Sequence, residues 1–190
     1  MIGLLPDKLE VGGVLYEIRP DFRVVLNIFQ AFSDEDLDDW DKAEICLKCL
    51  FKEPEKIPDT FLEEAINKAF WFCDGGDMPK SKPNQRKTFD WAYDESIIFP
   101  AVNKAAGFET RQCEFLHWWT FLGYFNEIDE GLFSTVMHIR SKRAKGKPLE
   151  KWERDFYEAH KSLINIITEE DRKALEETEE FINSLFGGDE

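Results

Sequence analysis

The chain has 190 residues, of which 43% are hydrophobic and 14% aromatic, enough to build a packed core and too apolar for a disordered tail. Against 24 Lys and Arg stand 39 Asp and Glu, a formal net charge of −15. That balance argues against a protein that grips a nucleic-acid backbone or an anionic membrane surface, since both need positive charge.

The first element is a hairpin. Lys8–Val11 and Val14–Ile18 flank Gly12-Gly13, and two glycines supply the positive φ angles of a tight turn. Everything after it reads as helix. Pro20-Asp21 opens a segment with Phe22, Val25, Leu26, Phe29 and Phe32 on one stripe. Ser33 to Asp41 holds six acids in nine residues, just before a helix carrying Ile45, Cys46, Cys49 and Leu50. Acids near a helix start favour its positive dipole end, although six together also repel one another. Pro54 and Pro58 punctuate, and a third helix carries Leu62, Ala65, Ile66, Ala69, Phe70 and Cys73.

Residues 75–88, rich in Gly and Pro, read as a mobile loop. Beyond it, Phe89 to Phe108 surround a helix in which Pro100 is expected to impose a kink or a restart, with Gly107 as its stop. Phe115 to Phe125 read as one helix, apolar on nearly every side and therefore central. Leu132 to Ile139 form a shorter helix. Arg140 to Lys151 is strongly basic, with six Lys or Arg against one Glu. Leu149, Trp152, Phe156, Ala159, Leu163 and Ile166 then predict one long helix with a heptad-like seam, and Thr168 to Leu185 predict a last one. The expected architecture is mainly α, about seven helices with a small N-terminal β-hairpin, in a single helical domain over residues 1–190.

The chemistry-bearing residues are sparse. Met1 to Lys8 shows no export signal and no run approaches the ~18 apolar residues of a membrane span, so the four cysteines read as reduced, buried thiols of an intracellular protein. Cys46-x-x-Cys49 lacks the second pair of a zinc ribbon and reads as core packing. Glu114-x-x-His117 is half of a di-iron motif without its partner, leaving a metal-dependent enzyme on Glu114 and His117 as a remote alternative. No nucleophile elbow, phosphate loop or zinc-protease motif is present. The expectation is a protein that is not an enzyme and carries no cofactor. An acidic DNA mimic or host-factor-binding protein is a second alternative. Trp118 and Trp119, whose adjacent positions diverge by about 100° on a helix, and the cations Arg140, Lys142, Arg143 and Lys145 are the candidate partner-binding residues.

Several runs resemble a known family. Phe89-Asp90-Trp91-Ala92-Tyr93-Asp94-Glu95-Ser96-Ile97-Ile98-Phe99-Pro100-Ala101, Gly107-Phe108-Glu109, Leu116-His117-Trp118-Trp119-Thr120-Phe121 and Phe133-x-x-Val136-Met137-x-x-Arg140 look like segments of the bacteriophage gene-product-fifteen family. These are small tail-module proteins of phages and prophages of Gram-positive bacteria. The likeness is most specific at His117-Trp118-Trp119 and looser at the Gly107 link, and Pro100 departs from the usual small residue. It implies a gene between those for the tail tube and the tape measure protein. It further implies a tail-assembly chaperone that coats the tape measure protein in the host cytoplasm during phage assembly, with phage tail proteins as partners rather than nucleic acid or membrane.

Overall fold

The computed structural model describes residues 3–76 and 88–166. Within them the architecture is mainly helical: a two-stranded antiparallel hairpin, then eight α-helices joined by short 3-10 turns. Strands β1 (Lys8–Val11) and β2 (Val14–Glu17) pair Leu9 with Tyr16 and Val11 with Val14. Gly12 and Gly13 take φ of +58° and +79°, the left-handed pair a two-residue hairpin demands. Gly12 is doubly required, because a Cβ there would meet the Phe61 ring at 2.9 Å. The hairpin is too small to stand alone. It buries Leu9, Val11 and Ile18 in the core, and the Gly12 amide donates to the Glu64 carboxylate at 3.1 Å.

Helix α1 (Phe22–Ser33) begins where the Asp21 carboxylate accepts the Arg23 amide at 3.0 Å. It buries Phe22, Val25 and Ile28. Helix α2 (Asp39–Leu50) is capped in the same way, with the Asp41 amide donating to Asp38 at 2.8 Å. Asp34 accepts the Asp36 amide at 2.9 Å. Part of the acidic run therefore builds a turn and a cap. Helix α3 (Leu62–Cys73) packs Ala65, Ala69, Phe72 and Cys73 inward. Gly76 follows with φ +92°, where a Cβ would lie 2.9 Å from the Trp119 indole. The predicted loop lies almost wholly outside the described residues, and the predicted helix from Thr168 to Leu185 lies entirely outside them.

Helix α4 (Glu95–Ala106) runs unbroken through Pro100, so the expected restart does not occur, and it stops at Gly107 with φ +80°. Helix α5 (Trp118–Asn126) starts three residues later than the aromatic run suggests; Phe115 lies outside it and is exposed. Helix α6 (Leu132–Ala144) follows. The long seamed helix is two pieces, α7 (Lys151–Ala159) and α8 (Lys161–Ile164), broken at His160 with φ −131° and ψ 38°. The His160 ring turns back to stack on Phe156, with centroids 4.2 Å apart. The expected seam is not a buried stripe: Trp152 and Ala159 are exposed, while Glu153 and Ile164 are inside.

One contiguous hydrophobic cluster draws on all of these elements except β2 and α7, which reach it through the half-buried Tyr16 and through the half-buried Phe156 and Tyr157. Its centre is aromatic. Phe22 stacks on Phe121 with centroids 4.5 Å apart and planes 5° apart. Trp91 contacts Phe29, Trp118, Phe121 and Phe125. Such pairs add roughly 0.5–1.5 kcal/mol each beyond area burial.

Candidate interaction surfaces

Both tryptophans of the His-Trp-Trp block are largely structural. Trp118 is fully buried and its indole N–H donates to the Cys73 carbonyl at 2.8 Å. Trp119 is half-buried and its indole donates to the Phe72 carbonyl at 2.9 Å. The pair thus ties α5 to the C-terminal end of α3. Of the two, only Trp119 retains exposed surface, as divergent helical positions require.

His117 is the N-cap of α5, not a helical residue, so Glu114 and His117 do not share a helix face. Its Nδ1 accepts the Trp119 amide at 3.0 Å, which fixes the proton on Nε2; that N–H donates to the Pro6 carbonyl at 3.0 Å. Burial holds its pKa below the ordinary 6.5. Glu114 is exposed. Among the described residues, no group of three His, Cys, Asp or Glu is placed to hold a metal ion. Cys46 and Cys49 lie within α2, and Cys46 meets Cys73 of α3. The Cys73 pKa is pushed far up by its hydrogen bond with Cys46 and by burial.

The basic segment separates into residues of different kinds. Arg140 is 6% exposed and belongs to the interior. Its guanidinium grips both oxygens of buried Asp94, at 2.6 and 2.8 Å. The remaining donors go to the carbonyls of Thr88, Leu163 and Ile164, at 3.1, 2.6 and 3.0 Å. With every donor satisfied inside, Arg140 is unavailable to a partner, contrary to its reading as part of a surface patch. Lys142 is turned onto the buried Glu153 carboxylate, at 2.6 and 2.8 Å. Glu153 also accepts the Glu150 amide at 2.6 Å and faces His138 Nε2 at 2.8 Å. The Lys142 hydrogen bond, helped by the other two, holds the Glu153 pKa at about 2. Arg143 is exposed, reaching Asn165 Oδ1 at 2.5 Å and lying over the Tyr157 ring. Lys145 is exposed. Of the predicted cations, Arg143 and Lys145 remain as solvent-facing charge.

A feature the sequence reading missed is an apolar groove between α4 and α6. One section, about 360 Å³, is lined by Ile97, Pro100, Ala101, Ile128 and Leu132 among others. A second, about 430 Å³, lies beyond α4, between α6 and Thr88, Phe125 and Ile128, and runs past Phe133 and Met137 to His138. The two share Ile128, Phe133 and Ser134. Leu132 is 48% exposed at its rim. No helix among the described residues is long and apolar enough to cross a membrane.

No curated protein matches the chain. No solved structure matches it either. The family model described as Bacteriophage Gp15 protein matches residues 1–166, taking in the hairpin, the eight helices of the described residues, the His-Trp-Trp block and the buried Arg140 cluster. The chain therefore belongs to the Bacteriophage Gp15 protein family.

Proposed function

We propose that this protein is a non-enzymatic tail-morphogenesis protein, a tail-assembly chaperone that binds the tape measure protein in the host cytoplasm before tube subunits polymerise around it. Family membership assigns the coarser role, structural or morphogenetic in a phage. The single observation carrying the finer reading is that match across residues 1–166. Two physical features support it. A chaperone of this kind must stay soluble while presenting apolar surface, and here a charge of −15 accompanies exposed Leu15, Trp40, Phe115, Leu132 and Trp152.

Co-expression with the tape measure protein of the same phage tests the reading. The expected result is more soluble tape measure protein and co-purification of the two. Unchanged solubility together with no co-purification would sink it.

A further inference from the structure

Several surface cations of this acidic chain pair with its own carboxylates, among them Lys48 with Glu44, Lys52 with Glu17 and Arg111 with Glu109. The end of α6 and the start of α7 depart from that pattern. Arg143, Lys145, Lys147, Lys151 and Arg154 are all exposed, and no described carboxylate pairs with any of them. Residues 141–155 hold six cations against three acids, and two of those acids, Glu150 and Glu153, already face Lys142. The dipole of α6 favours cations in its last turn, but Lys151 and Arg154 stand in the first turn of α7, where the helix dipole disfavours them. The five form one face. Gly146, at φ +64°, folds the chain back so that the Lys147 amide donates to the Lys142 carbonyl at 2.9 Å, which keeps Lys145 and Lys147 against the end of α6. The Arg143 guanidinium lies 4.4 Å over the Tyr157 ring, one turn along α7 from Arg154.

The described chain ends against this face. Asn165 Oδ1 accepts from Arg143 at 2.5 Å and the Asn165 carbonyl accepts the Tyr93 hydroxyl at 3.0 Å, so the chain leaves the body beside Arg143. Residues 167–190 carry nine Asp or Glu against two cations, Arg172 and Lys173. Their first acid, Glu169, is four residues past Asn165, within about 14 Å of it even at full extension. The family match ends at residue 166, ahead of all nine acids. We propose that the occupant of the basic face is the chain's own residues 167–190, drawn back onto it in cis. Single surface ion pairs are weak and screened by salt, but several act together here, and a short tether holds the acids at an effective concentration of order mM. An acidic segment of another protein reaches these cations only by displacing the strap. The proposal does not depend on the tail-assembly reading.

Carbodiimide coupling of the full chain tests it, because the reagent joins an amine to a touching carboxylate as an amide, with loss of water and no spacer. At micromolar protein and low salt, peptide mass spectrometry should find Lys145, Lys147 or Lys151 joined to acids of residues 169–180 in a product of monomer size. The yield should fall severalfold on going from about 0.01 M to about 1 M salt, where the Debye length shrinks from about 30 to about 3 Å. The variant Lys145→Gln, Lys147→Gln, Lys151→Gln alters only exposed positions and should keep its fold by circular dichroism. Glutamyl endopeptidase should cut its residues 169–180 severalfold faster than those of the wild type. No lysine–tail product at low salt, or equal cleavage of wild type and variant, overturns the strap. A yield unchanged by salt overturns its electrostatic basis. A product of dimer size joining the same residues assigns the face to a second copy and overturns the occupant in cis.

Discussion

Arg140 and Asp94 are the most consequential single residues in the structure. Their carboxylate–guanidinium pair is bidentate and dry, at 0% and 6% exposure. Removing one partner of such a pair strands a charge in the interior, at a cost of ~3–5 kcal/mol, whereas replacing both with apolar groups is often close to neutral. Asp94→Asn and Arg140→Met are therefore each expected to lower unfolding stability by about that amount, and Asp94→Leu combined with Arg140→Met to recover much of the loss, as read by urea denaturation. The sequence held a signal for this. Phe133, Val136 and Arg140 are spaced three and four apart on one face, and Asp94, Ile98 and Val102 four and four on another. Each ionic residue ends an apolar stripe. Grouping Arg140 with its basic neighbours by composition concealed that position.

Among the elements, α7 is held to the body by charge more than by apolar burial. It places Glu153 inside, where Lys142 and His138 of α6 and the Glu150 amide converge. The Glu153 pKa is lowered from its ordinary 4.5 to about 2. A carboxylate with a depressed folded pKa stabilises fully above its unfolded value and loses that stabilisation as pH falls through its folded value. The stability difference between wild type and Glu153→Gln is thus expected to be constant above pH 4.5 and to shrink between 4.5 and about 2, measured by denaturant titration at successive pH values.

The hairpin, α1, α3 and the Gly107 stop were legible in the sequence because their apolar spacing and turn residues agree with their surroundings. The break at His160 was not, since the heptad spacing across it is locally sound. Tertiary contact overrides it: ending α7 turns Ile164 inward and aims the Leu163 and Ile164 carbonyls at Arg140. The Glu114–His117 spacing likewise implied a helix through both residues, whereas α5 begins only after its cap, His117.

For the whole molecule, the charge of −15 acts on solubility rather than on fold. Near the isoelectric point of about 4.7, that mutual repulsion disappears while the groove and the exposed aromatics stay apolar. Turbidity is expected to peak near pH 4.7 and to fall away above pH 6, and at low pH once net positive charge returns. A flat profile would mean that the apolar groups are covered. The position of the groove could not be read from any single stripe. Its walls come from α4 and α6, separated by α5, and only the packed arrangement brings Ala101 beside Phe133.

The guanidinium of Arg140 also bears on how the molecule opens. It joins the segment at Thr88, the start of α4 at Asp94, and the last described turn at Leu163 and Ile164 to a single planar group on α6. Tyr93 adds a hydroxyl bond to the Asn165 carbonyl at 3.0 Å. Fraying of residues 161–166 on their own would strip two acceptors from a guanidinium that is only 6% exposed. These distant stretches of chain are consequently bound into one cooperative unit, with a shared opening free energy set by α6 rather than the separate, low values usual for short, exposed turns.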